Sequence, residues 1–100
     1  MNTITNLEKL NMTEIKIIPI ETYSQYEAVR DYLLKLHLDE KNGTLFRGRN
    51  KTYFGNEKYE ISANMDKKRV IIIQENEDGE KINNLEKELN NVVGGLNNTK

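Results

Sequence analysis

The stretch Arg47-Gly48-Arg49-Asn50-Lys51-Thr52-Tyr53-Phe54 mixes cations with aromatic rings. Arg47, Arg49 and Lys51 alternate, so on one continuous strand they would share a face. Lys67, Lys68 and Arg69 follow at a neighbouring turn. Cations of this kind hold phosphates or carboxylates, and the rings of Tyr53 or Phe54 could stack on bases. Arg47, Arg49, Lys51, Tyr53, Lys67, Lys68 and Arg69 are therefore the candidate anion- or partner-binding residues. The plainer reading is a solvent- or protein-facing sheet surface, whose charges also discourage edge pairing.

Other chemistry is poorly supplied. The chain lacks cysteine, which excludes disulfides, thiolate metal sites and cysteine nucleophiles. Its one histidine, His37, falls near the end of a helical stretch, where it complements the helix carbonyls. Ser24 and Ser62 are the serines, and neither stands in a nucleophile-elbow context. Gly43-Thr44-Leu45-Phe46-Arg47-Gly48-Arg49-Asn50 approximates a phosphate loop, but Arg49 replaces the lysine and Asn50 the magnesium-binding hydroxyl. The acidic cluster Glu75, Glu77, Asp78 and Glu80 misses the calcium-loop pattern and reads as a solvated helix start. We assign no catalytic residue, no cofactor and no metal.

These residues must be positioned by a small scaffold. With 100 residues, 36% hydrophobic and 31% charged, the chain fits one domain. Its net charge of −1 conceals a segregation: residues 1–40 sum to −3, 41–70 to +5 and 71–100 to −3. No apolar run approaches the roughly 18–20 residues that cross a bilayer, and no secretory signal is visible, so the expected setting is the cytoplasm. Asn (14), Lys (11) and Ile (10) share AT-rich codons, which fits a bacterial, phage or mobile-element gene.

Residues 1–12 read as a polar lead-in, disordered or a short helix, and Met12 is an alternative start. Residues 14–20 read as a strand with isoleucines on both faces, hence mostly covered, and Pro19 belongs at its end or on a sheet edge. Residues 22–38 read as a helix, with a capping box at Ser24/Glu27 or at Thr22/Gln25 and a stripe of Tyr26, Val29, Leu33 and Leu36. Residues 44–54, 58–65 and 69–75 read as three strands, the first open to a break near Gly48 or Asn50. A second helix spans 80–93 with Ile82, Leu85, Leu89 and Val92 on one stripe, ended by Gly94-Gly95. The domain thus covers 13–94, followed by a flexible tail at 95–100.

The expected fold is α+β, in two layers: a four-stranded, mainly antiparallel sheet with two helices on one face, in the order β-α-β-β-β-α. The last five elements follow the order of the double-stranded-RNA-binding domain. That family has a lysine cluster where Glu77-Asp78-Gly79-Glu80-Lys81 stands here, so the assignment is rejected. The expected function is a non-catalytic module binding a protein partner or itself as a homodimer, as a phage or mobile-element regulator or inhibitor would. The alternative is nucleic-acid or nucleotide binding by the basic strands 47–69. No membrane partner is expected.

Overall fold

The computed structural model describes residues 14–41, 43–74 and 79–97. Strand β1 (Glu14–Pro19) leads into helix α1 (Tyr23–Glu40). Four strands follow: β2 (Thr44–Arg47), β3 (Lys51–Gly55), β4 (Tyr59–Asn64) and β5 (Arg69–Gln74). Helix α2 (Gly79–Asn97) completes the order. The strands form one antiparallel sheet, β1-β5-β4-β3-β2, so β1 and β2 are its edges.

The α+β class and two-layer arrangement match expectation, but the sheet has five strands rather than four. Residues 44–54 divide into β2 and β3 because the chain reverses at Gly48, whose N–H donates to the Lys51 carbonyl at 2.7 Å. A side chain at Gly48 would collide with that carbonyl and with the Phe46 ring.

Both helices lie on one face of the sheet: α1 packs on β2, β3 and β4, and α2 on β1 and β5. Period-two burial marks that face: Ile18 and Ile20, then Thr52 and Phe54, Tyr59, Ile61 and Ala63, and Val70, Ile72 and Gln74. The helices answer with Tyr26, Val29 and Leu33, and with Leu85, Leu89 and Val93. Leu36 and Val92 pack only at the margin of this core, and Ile82 is not among the side chains described.

Of the two capping boxes, the chain uses Thr22 and Gln25. Gln25 N–H donates to Thr22 Oγ1 at 3.1 Å, while Gln25 Oε1 accepts from the N–H of Glu21 and Thr22. Gln25 Nε2 reaches the Val93 carbonyl at 3.5 Å, tying the start of α1 to the end of α2. Lys41 closes α1 in the left-handed region, φ 56°, and donates its N–H to the His37 carbonyl.

Helix α2 does not stop at residue 93; it runs through Gly94-Gly95 to Asn97, overlapping the expected tail. A glycine ends a helix by turning left-handed, and among the described glycines only Gly43 has that backbone, φ 97°. The lead-in of residues 1–12 lies outside the described residues.

Tyr26 anchors α1 to the hairpin. Its hydroxyl donates to the Gly48 carbonyl at 2.8 Å and lies 2.9 Å from Thr52 Oγ1, which is buried. Tyr26→Phe takes this hydrogen bond from the buried Thr52 hydroxyl and should lower unfolding free energy by about 1–3 kcal/mol in urea denaturation. Thr22→Ala should cost about 1 kcal/mol in the same assay.

Candidate functional site

With the core side chains pointing at the helices, the alternate residues of every strand project from the other face. Pairing register sets them in three rows. The central row runs Ile17, Ile71, Ser62, Tyr53, Phe46 across β1, β5, β4, β3 and β2. On one side lie Ile15, Ile73, Glu60, Gly55 and Thr44; on the other, Pro19, Arg69, Asn64 and Lys51.

Nothing in the described chain covers these rows. Ile15 is 59% exposed, and Ile17 and Phe46 are each 57% exposed. Ile71, Ile73 and Tyr53 are half-buried by their neighbours. The expectation that β1 is mostly covered therefore fails for Ile15 and Ile17. Both helices were spent on the opposite face, and β1 is an edge strand, as Pro19 indicates. A hollow of about 220 Å³ opens between Phe46, Lys51, Tyr53, Ser62 and Asn64. The Tyr53 ring leans along β3 over Gly55, whose missing side chain makes room for it.

The candidate residues are divided among the open face, the helix side and two turns. Lys51, Tyr53 and Arg69 belong to the open face. Arg47 does not share it with Lys51, because the reversal at Gly48 puts the two on different strands. Arg47 pairs in register with buried Thr52, and its guanidinium meets Asp31 of α1 at 3.3 Å. Arg49 occupies the β2–β3 turn, where its carbonyl accepts from the Tyr23 hydroxyl at 2.8 Å. Lys67 and Lys68 occupy the β4–β5 turn, Lys68 with φ 56°.

The two turns adjoin. Met65 N–H donates to the Asn50 carbonyl at 2.8 Å, and Asn50 Nδ2 reaches Asp66 at 3.4 Å. Arg49, Lys51, Lys67, Lys68 and Arg69 are thereby gathered at one end of the sheet.

The ion pairs among the described residues lie on the helix side: Lys16–Glu86, Arg30–Glu27 and Arg47–Asp31. Lys51, Glu60 and Arg69 form none of them. Nε of Arg69 is shielded from solvent without a hydrogen-bond partner.

Groups with reactive potential do not converge on this face. His37 stands edge-on to Phe54 at 5.8 Å, on the helix side. A second hollow, about 390 Å³, lies between the helices beside Tyr32, Lys35, Asp39, Glu40 and Glu88. There the Tyr32 hydroxyl donates to Glu88. Among the described residues, no cluster of three or more His, Asp or Glu is arranged to hold a metal. Of the acidic cluster before α2, Glu75, Glu77 and Asp78 lie outside the described residues.

Reading the cations first missed Ile15, Ile17, Ile71, Ile73 and Phe46. The isoleucines are signalled by the doubled apolar faces of residues 14–20 and 69–75, whereas Phe46 carries no such signal. Comparison with family models, with curated proteins and with solved structures gives no match. No helix of the described residues is long and apolar enough to cross a membrane.

Tyr26, Tyr32 and Tyr59 titrate high. Burial is the first cause in each, and the Glu88 carboxylate adds to it at Tyr32. Tyr59 is pushed from 10.0 up to about 12. The fold thus favours the neutral phenol. That contribution is complete below the unfolded value of 10.0 and is lost as pH rises through about 12. Alkaline titration should show tyrosinate absorbance from these side chains appearing together with loss of circular dichroism. Ionisation at the ordinary value in a still-folded chain would contradict their burial.

Proposed function

We propose that this protein is a small, non-catalytic, cytoplasmic binding module that acts through protein–protein contact, with the open sheet face as its contact surface. The observation that carries the reading is the row of Ile17, Ile71, Tyr53 and Phe46, flanked by Ile15 and Ile73. An apolar row, interrupted only by Ser62 and rimmed by polar groups, is characteristic of an interaction site. Aromatic anchors such as Tyr53 and Phe46, with charges at the margin, are what a protein interface uses. The AT-codon composition fits a phage or mobile-element regulator or inhibitor.

Affinity capture from a bacterial lysate with wild type, Ile17→Asp and Phe46→Asp tests the reading. Both substitutions are at exposed positions, so circular dichroism should be unchanged. A protein retained by wild type should be lost from both variants. Equal capture by all three contradicts use of this face.

Nucleic-acid binding remains as a second reading, favoured by the gathering of Arg49, Lys51, Lys67, Lys68 and Arg69 at the two adjoining turns. It requires oligonucleotide binding that weakens steeply between about 50 and 200 mM salt in an anisotropy titration. Absence of binding at the lower salt eliminates it.

A further inference from the structure

We infer that the occupant of the open face is a second copy of this chain, stacked sheet to sheet about a two-fold axis that crosses the strands at Ser62. This rests on the protein-contact reading above and commits it to one partner. Three observations lead to it.

The first is position. β4 is the middle strand of five, and Ser62 is the middle of its three open-face residues, Glu60, Ser62 and Asn64. The centre of the face is therefore a small side chain in the middle of the apolar row.

The second is charge. Arg69 and Lys51 flank Asn64 on either side, in direct register with it. Glu60 stands the same two residues from Ser62 in the opposite direction. A face-to-face dimer has its two-fold axis in the plane between the sheets. An axis parallel to the strands would set each basic end over the other basic end. An axis across the strands reverses them and places Glu60 of each copy over Asn64 of the other, between Arg69 and Lys51. Neighbouring strands are about 4.8 Å apart and packed sheets about 10 Å apart, spans that Glu, Arg and Lys side chains cover together. The interaction forms twice by symmetry. Lys51, Glu60 and Arg69 make none of the ion pairs found within the described chain.

The third is packing. The same axis lays the row of Ile17, Ile71, Tyr53 and Phe46 along its own copy, apolar on apolar. Aligned sheets rotate by about 30° relative to each other. That rotation pivots about Ser62, so the charge pairs nearest the centre are displaced least.

The area sets the strength. Five strands about 4.8 Å apart and some five residues deep give a footprint of about 400 Å² per copy. The two copies together bury about 800 Å², below the roughly 1,200 Å² at which stable interfaces begin, so the dimer should be weak and reversible, with Kd on the order of tens of micromolar.

Sedimentation velocity over about 5–500 μM brackets that value. The experiment uses wild type, Glu60→Arg and the double variant Lys51→Glu/Arg69→Glu, each checked for fold by circular dichroism. Wild type should pass from monomer to dimer as concentration rises. Each variant alone sets like charges against each other and should raise Kd at least about tenfold. Mixed one to one, the two variants are complementary at both contacts and should form a heterodimer of wild-type strength.

A wild type monomeric throughout, a dimer that survives either charge reversal, or a mixture that stays monomeric overturns the inference. If wild type is monomeric while Ile17→Asp abolishes capture, only the choice of partner fails. If Ile17→Asp alters neither association nor capture, the protein-contact reading fails as well.

Discussion

Among the described residues, the sheet is covered on one face only. The apolar stripes of α1 and α2 both face the same side of β1-β5-β4-β3-β2, and together they span its full width. No other described element covers the strand side chains that point the other way. For most small two-layer domains this costs little, because the outer residues are polar. Here β1 and β5 carry isoleucine on both sides, and β2 and β3 add Phe46 and Tyr53. The side that the helices leave uncovered is thus apolar in its middle, and the functional proposals follow from that arrangement.

Folding and surface chemistry are coupled through the β2–β3 reversal. Tyr23, Tyr26 and Arg30 of α1 all direct donors to the carbonyls of Gly48 or Arg49. Those bonds fix the turn, and the turn decides that Arg47 goes to the helix layer while Lys51 goes to the open one. The sequence-level net charge of +5 over residues 41–70 is accordingly not a single patch. Part of it neutralises α1, part crowns one end of the sheet, and part stands at the edge of the apolar row.

Much of the architecture was legible in the sequence because periodicity is a local signal. The 3-4 spacing of Tyr26, Val29 and Leu33 and the alternation of Tyr59, Ile61 and Ala63 identify buried sides without tertiary information. The strand count was less legible, because Gly48 allows either a bulge or a reversal and only the partner strand decides. The end of α2 was misread because glycine permits a stop without enforcing one. The site was the least legible part. Isoleucines on both sides of a strand are equally compatible with a covered strand and with a sticky one. The distinction depends on where two helices dock, which no single segment specifies. The alternation of Arg47, Arg49 and Lys51 has the pattern of one strand face, but the reversal at Gly48 separates them onto two strands and a turn.

The most direct measurement is solvent paramagnetic relaxation of the isoleucine methyl groups, recorded on dilute protein. Ile15 and Ile17 should relax strongly, while Ile18, Ile20, Ile61 and Ile72 stay protected. Uniform protection of all six, or a reversed pattern in which Ile18 and Ile20 are the accessible pair, would contradict the exposed apolar layer from which the functional account is built.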